Sequence, residues 1–562
     1  MSATVSRRGV KTKTVEPTVA HLSINAGAGC GKTSTMEAGY NLVVHKKSPP
    51  FKLTDSQDAI VNAMNHYLRP KDSILMVCFN KSISEEFIAR NLPGSTNHSL
   101  GNKALSAFRT KMKMRYTKPS TWKTVNILEA MGIDRKKEGG YVRTMEHVVS
   151  LCKSTLTGYR PDQDPSGTQL CCYPNWESDF YSMIDHYGVE IDDKDFPRVL
   201  SDLPKVLQTS AADLSQYDFD DMIWIPTVRQ LPMDSYDTLI VDERQDLNAA
   251  QLALLTRCGK QLFGVGDPRQ SIYGFAGADA QAFAKMDEWM DANGTRIPLP
   301  LMETRRCPKS VVQLAQTIVP EFRFLPDAPE GRIIASGDQV SAAPRVGRNV
   351  PWSDLFGDTD LVASTIPGMS SRELTLRPGD MALCRLNAPL VQVAYGLIRR
   401  NIPAAIQGRD FGQGIQALIR KSKSDDLPSL IQWVEDYRQR ESAKIQSSKF
   451  PSEAKLQSLD DKCDCLIYLT EGCQNIGELV IRIETLFVAG GDRKKSVLLS
   501  SVHRAKGLEA ERVFILAPEK MPLRYKSMLP WQMEQEDNLR YVAWTRTMRD
   551  LIFTETPKKK ED

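Results

Sequence analysis

Short apolar runs recur along the chain at residues 21–25, 74–79, 238–241 and 262–266, and again at 381–384, 496–500 and 512–516. Turn-forming residues bound each run, and helical patterns lie between them. Runs of this length without polar alternation fit strands buried on both faces, as in parallel sheets covered by helices. Two sets so far apart in sequence predict an α/β fold class with two parallel-sheet lobes. The intervening regions read as insertions. Residues 101–215 are rich in Lys, Tyr, Pro and Met and read as mostly helical, and residues 400–490 are polar. Within the latter, Leu430, Ile431, Val434 and Tyr437 share one face of an amphipathic helix.

The 562 residues suffice for about three or four domains. Hydrophobic residues make up 41% and charged residues 25%, an ordinary globular balance. No run of about 20 apolar residues occurs, so no membrane partner is expected. The start, MSATVSRRGVKTKTVEPT, is basic but has no apolar core and does not read as a secretory signal. Eleven cysteines are scattered without a framework spacing. Free thiols in a reducing compartment are the expectation, against the alternative of a metal site at Cys463, Cys465 and Cys473.

Net charge is only +4, but its distribution is uneven. From Phe87 to Leu128 there is no Asp or Glu, while Arg90, Lys103, Arg109, Lys111, Lys113, Arg115, Lys118 and Lys123 fall there with Phe108, Tyr116 and Trp122 interleaved. Such a stripe can neutralise phosphates and offer rings to bases, or it is a solvated helix face.

The sharpest local pattern is Ala26-Gly27-Ala28-Gly29-Cys30-Gly31-Lys32-Thr33, after a predicted strand and before a predicted helix. Glycines let consecutive backbone N–H groups turn towards phosphate oxygens, and the helix start adds a favourable field. In this setting Lys32 reaches the terminal phosphates of a nucleotide and the Thr33 hydroxyl ligates Mg²⁺. Its complement is Asp242-Glu243-Arg244-Gln245-Asp246, which follows an apolar strand. Carboxylates at a strand's carboxyl end suit a metal shell, here Asp242, and polarisation of an attacking water, here Glu243. ATP and Mg²⁺ are the expected substrate and cofactor.

These two strings open an ordered series that resembles the UvrD/Rep/PcrA-like, 3′→5′ branch of superfamily-one DNA helicases. Val77-Cys78-Phe79-Asn80-Lys81 and Thr96-Asn97-His98-Ser99-Leu100 resemble its motifs Ia and Ib. Val265-Gly266-Asp267-Pro268-Arg269-Gln270-Ser271-Ile272-Tyr273-Gly274-Phe275 resembles motif III, and Thr304-Arg305-Arg306-Cys307-Pro308 motif IV. Ser501-Val502-His503-Arg504-Ala505-Lys506-Gly507-Leu508-Glu509 resembles motif V, and Leu539-Arg540-Tyr541-Val542-Ala543-Trp544-Thr545-Arg546 motif VI.

The resemblance implies two RecA-like P-loop domains with largely helical insertions in each. It divides the chain into 18–100, 216–285 for the first lobe around an insertion at 101–215, and 286–399, 491–556 for the second around an insertion at 400–490, with a charged tail at 557–562. It implies that Gln270 senses the γ-phosphate, that Arg306 and Arg546 act as arginine fingers, and that Glu509 binds the ribose. Phe79, Asn80, Lys81, Thr96, His98, Tyr273, Phe275 and His503 stand at its DNA-contacting positions. The implied partners are single-stranded DNA and single-strand/duplex junctions, with a monomer or weak dimer as the acting form. The setting would be replication, repair or recombination in the cytoplasm (a host's, for a virus) or a eukaryotic nucleus. A translocase that strips proteins from DNA and a weakened DNA-binding module are the other readings.

The sequence departs from the family in several places. No Gln precedes the phosphate loop; Leu53-Thr54-Asp55-Ser56-Gln57 follows it instead. Arg305 stands where a Tyr stacks on adenine, and its planar guanidinium can also stack. Ala276 replaces an Arg after motif III, Arg244 replaces a small residue in the acidic box, and Cys30 stands where Ser is common.

Overall fold

A computed structural model describes residues 19–555 apart from 79, 165, 167–168, 188, 190, 273, 275–280, 336–348, 357–370, 448–451, 489–494 and 527. The basic N-terminal stretch, the charged tail, Ala276 and the expected DNA-contacting rings Phe79, Tyr273 and Phe275 lie outside the described residues.

Six strands build the first sheet: β1 (Ala20–Ala26), β2 (Ile74–Cys78), β3 (Gly94–Thr96), β4 (Tyr236–Val241), β5 (Gly259–Gly266) and β6 (Thr295–Leu301). They are parallel, in the order β3-β2-β4-β5-β1-β6. A short pair, β7 (Glu303–Thr304) and β8 (Arg323–Phe324), leads to the second sheet. That sheet holds β9 (Arg332–Ile334), β10 (Met381–Cys384), β11 (Ala404–Gln407), β12 (Phe487–Val488), β13 (Val497–Ser501), β14 (Ala510–Ile515) and β15 (Thr547–Phe553), ordered β12-β11-β13-β10-β14-β15-β9 and again parallel. The apolar runs are strands because their side chains are buried on both faces, as at Leu239, Ile240 and Val241.

One expected boundary is corrected. The sequence puts residues 286–399 in the second lobe, but Thr295–Leu301 pairs along its whole length with β1 in the first sheet. Ile297, Leu299 and Leu301 alternate with Arg296, Pro298 and Pro300. Proline has no N–H to give a second neighbour, so this strand fits only an edge, and β6 is outermost.

Between β3 and β4 the chain is helical, with Asn97–Lys111, Lys123–Ala130, Gly139–Thr155, Trp176–Tyr187, Phe196–Ala212 and Asp221–Val228. These helices bury their own core, including Val142, Phe180, Leu203 and Trp224. Charges are buried there too. Asp221 receives Lys123 Nζ at 2.7 Å and Lys153 Nζ at 2.8 Å, and Lys153 also reaches Asp218 at 2.6 Å. The acid-free stripe is therefore not one solvated face. Lys123 and Arg109 are buried, whereas Lys111, Lys113, Arg115 and Lys118 are outside that core around an exposed Tyr116.

Four helices, Arg409–Ser422, Leu427–Ser447, Glu453–Thr470 and Ile476–Leu486, separate β11 from β12. Leu430 and Val434 are buried, with Ile431 and Tyr437 half-buried on the same helix. Cys463 and Cys465 lie in the apolar core of this region. Among the described residues no group of three His, Cys, Asp or Glu side chains is arranged to hold a metal, so the site considered at Cys463, Cys465 and Cys473 is not formed. No described helix is long and apolar enough to cross a membrane.

The two sheets share one continuous buried cluster. Leu22, Ile24 and Phe263 of the first sheet join Met381, Leu498 and Val513 of the second through Phe322, Tyr541 and Val542. This joint fixes how the carboxyl ends of the strands face one another.

Candidate active site

The chain leaves β1 into the glycine loop, and helix Lys32–His45 begins directly after it. Gly29 and Gly31 take φ +67° and +77°, a left-handed conformation that strains any side-chain-bearing residue. Gly29 is also tight: a Cβ there would stand 2.6 Å from Arg306 Cβ. Helix Lys32–His45 opens with no side-chain cap, which leaves its first N–H groups for an anion.

Opposite, β4 delivers Asp242 and Glu243. Glu243 lies at φ +51°, unusual for a residue with a side chain, and the chain turns sharply there. The turn brings its carboxylate to 2.9 Å from Lys32 Nζ. Gln245 donates to the same carboxylate through its side-chain amide and accepts from Asp267 N at 3.0 Å. Gln270 is buried and donates to Asp267 Oδ2 at 2.6 Å.

The second lobe supplies the other wall. Lys506 Nζ is 2.5 Å from Asp246 Oδ2 and 2.7 Å from the Gln270 carbonyl, so it joins the lobes across the cleft. Arg306 pairs through Nε with Glu509 at 2.6 Å. Arg546 is buried and donates to the carbonyls of Val542 at 2.9 Å and Leu508 at 3.3 Å. A cavity of about 360 Å³ is lined by Gly29, Lys32, Thr33, Glu243, Gln270, Arg306, Lys506 and Arg546 together. Asn80 also borders it.

Buried charge sets the protonation of these groups. Burial opposes the charge on Lys32, but Glu243, Asp242 and Asp267 outweigh it and hold its pKa above the usual lysine value. Burial raises Glu243, yet Lys32 and Lys506 prevail and bring it down to about 2. Asp242 takes the opposite shift: burial and then the neighbouring Glu243 charge push it up to about 7. The two carboxylates thus share one site with one of them firmly ionised. Burial, with the Arg306 charge nearby, lowers Arg546 to about 10.

The residues fit a magnesium nucleotide. The Thr33 hydroxyl and the Asp242 carboxylate are hard oxygen donors of the kind Mg²⁺ takes. Asp246 Oδ1, from a residue in the cavity wall, is buried with no hydrogen-bond partner. The glycine turn has no room for side chains where phosphates would rest.

The expected DNA-contacting residues that are described lie along the carboxyl edges of the strands. Asn80 follows β2 and caps helix Lys81–Ala89, accepting from Ile83 N at 2.9 Å. Lys81 is exposed beside Glu85 at 3.3 Å. Thr96 ends β3 and caps helix Asn97–Lys111, accepting from Ser99 N at 3.1 Å, and half-buried His98 follows. His503 follows β13, where burial and then Arg385 and Arg504 press its pKa down to about 3, so the ring is neutral at ordinary pH. Arg305 stands beside the loop, its N–H donating to the Gly29 carbonyl at 2.9 Å.

Sequence reasoning passes over three residues here. Tyr541 is fully buried and its hydroxyl accepts the Ala28 N–H at 2.9 Å. Phe322 packs edge-on against that ring at 5.7 Å and covers Gly27. Lys506 carries no assigned role within motif V. Arg244, noted only as a departure, is wholly buried, bonded to Asp287 at 2.6 Å and to Ser23 Oγ at 2.8 Å, with the Phe283 ring 3.3 Å away. It ties the acidic turn to β1. Arg244→Ala is expected to destabilise the chain by about 3 kcal/mol by unpairing a buried network. Urea unfolding measures this, and an unshifted midpoint would deny the network that role.

Comparison with known proteins agrees with this architecture. The UvrD/REP helicase N-terminal domain matches residues 10–291 and the UvrD-like helicase C-terminal domain residues 386–558. The chain is 22% identical to the ATP-dependent DNA helicase PcrA of Staphylococcus epidermidis, over 97% of this chain and 82% of that protein. It is 33% identical over 222 residues to an ATP-dependent helicase/nuclease of Oenococcus oeni, covering 36% of this chain but 18% of that one. It is 28% identical to the mitochondrial ATP-dependent DNA helicase HMI1 of Saccharomyces cerevisiae, over 30% of this chain and 24% of that protein. The chain thus spans less than a quarter of the length of these last two relatives. With both lobes matched in order around one phosphate cleft, the chain belongs to the UvrD-like helicase family.

Proposed function

We propose that this chain is an ATP-dependent DNA helicase that moves 3′→5′ along single-stranded DNA and separates duplex ahead of it. One observation carries the reading: Lys32 from one lobe and Arg306 and Arg546 from the far side line the same cavity. Guanidinium groups suit the charge that spreads over a transferring phosphoryl group. Lys32 holds the terminal phosphates, Glu243 takes the proton of the attacking water, and Gln270 reports the γ-phosphate to the DNA path. Thr33 and Asp242 hold Mg²⁺, which neutralises phosphate charge when bound. Glu509 exchanges Arg306 for the ribose as the cleft closes.

Closure pulls on Lys506 and on helix Pro530–Trp544, which already bridge the lobes through Asp246 and Ser271. If the two lobes grip DNA differently when open and closed, each cycle gives a directed step. Asn80, Lys81, Thr96, His98 and His503 then line the strand's path, with Phe79, Tyr273 and Phe275 as stacking rings. Polarity is proposed from the strings GDPRQSIYGF and VHRAKGLE, which resemble the 3′→5′ branch.

A strand-displacement assay with ATP and Mg²⁺ on duplexes bearing a 3′ or a 5′ tail tests this. Displacement is expected from the 3′-tailed substrate alone. Displacement only from the 5′ tail would overturn the polarity. DNA-stimulated hydrolysis without displacement would favour a protein-stripping translocase.

A further inference from the structure

Gln57 lies beside the phosphate loop: a Cβ on Gly31 would stand 3.0 Å from its Nε2. A glutamine reads adenine by accepting from N6 while donating to N7. Here that acceptor is occupied. Gln57 Oε1 takes the Thr54 N–H at 3.1 Å and Arg305 Nη2 at 2.8 Å, which fills both lone pairs of an amide oxygen. Nε2 donates to Thr35 Oγ1 at 3.0 Å, and the residue is fully buried. The amide is an internal staple between helix Asp55–Tyr67, helix Lys32–His45 and Arg305.

Arg305 is exposed, yet it is held in place. Its backbone donates to Gly29, its Nη2 reaches the Lys52 carbonyl at 2.6 Å as well as Gln57, and its Cζ lies 5.4 Å from the centre of the Phe51 ring. A fixed guanidinium plane next to an aromatic ring, on the flank of the phosphate loop, is a stacking surface. Stacking tolerates any base, because every base has a π-face.

We propose that the nucleotide base is held by stacking on Arg305 and Phe51 with no reading of its edge, so that the motor hydrolyses purine and pyrimidine triphosphates alike. This rests on the ATPase reading above. Arg305 and Phe51 are the base-binding residues, and Gln57 positions Arg305.

The test is steady-state hydrolysis by the full chain with saturating single-stranded DNA and ATP, GTP, CTP or UTP in turn. The kcat/KM values are expected to agree within about tenfold. Arg305→Ala and Phe51→Ala are expected to raise KM by about tenfold for all four nucleotides with kcat nearly unchanged, the size of one lost stacking partner. The wild-type comparison stands even if a variant fails to fold. Preference for ATP over GTP of about a hundredfold or more, abolished by Gln57→Ala, would overturn the proposal and leave the motor reading standing. No hydrolysis of any triphosphate would overturn both.

Discussion

Lys32→Ala is expected to bring DNA-stimulated ATP hydrolysis to background, a loss of at least about 10³-fold, while single-stranded DNA binding survives largely intact. The magnitude is that of removing a preorganised charge from a site where negative charge develops. The geometry adds a second reason. Lys32 is the cation 2.9 Å from Glu243, and its charge is foremost in holding that buried carboxylate ionised. Without it, Glu243 loses its strongest partner and Asp242 loses a neighbour that lowers its pKa. Both the phosphate grip and the protonation of the acidic pair fail together. Phosphate release measures turnover and fluorescence anisotropy measures DNA binding. Retained turnover would remove Lys32 from its assigned role.

Glu243→Gln is expected to separate binding from chemistry. The amide keeps the size and shape of the side chain at an unusual backbone position, φ +51°. It cannot accept a proton from water, so hydrolysis should fall by about 10²–10⁴-fold, the usual worth of a positioned base. Nucleotide affinity should hold or rise, since Lys32 is freed from its carboxylate for phosphate. Filter binding of labelled ATP and a single-turnover experiment read the two effects separately. Hydrolysis at the parental rate would reassign the base, and Asp246, whose pKa burial and then Glu243 lift to about 6 against the pull of Lys506, would be the next group to test.

The parts of this site that are legible in sequence are those written contiguously. The glycine turn and the acidic box each sit within eight residues of a strand whose apolar run announces it. What is not legible depends on contacts between distant residues. Nothing near Lys506 says that its ammonium meets Asp246, 260 positions away. Gln57 looks like a displaced base reader because its string matches; only its saturated amide shows a different use. The prolines of β6 mask a strand pattern that an edge position tolerates, so the lobe boundary reads too early. The acid-free stripe misleads in the other direction. Lys123 belongs by sequence with the exposed lysines, but its acidic partner Asp221 comes 98 residues later.

Tyr541 and Ala28 stand 513 residues apart, and yet one donates to the other in the buried wall of the phosphate turn. A buried amide proton needs its acceptor. During synthesis the first lobe emerges long before that hydroxyl exists, so its nucleotide loop remains unfinished until helix Pro530–Trp544 has been made and docked. The order of translation thereby withholds a complete ATP-binding turn from any partly made motor.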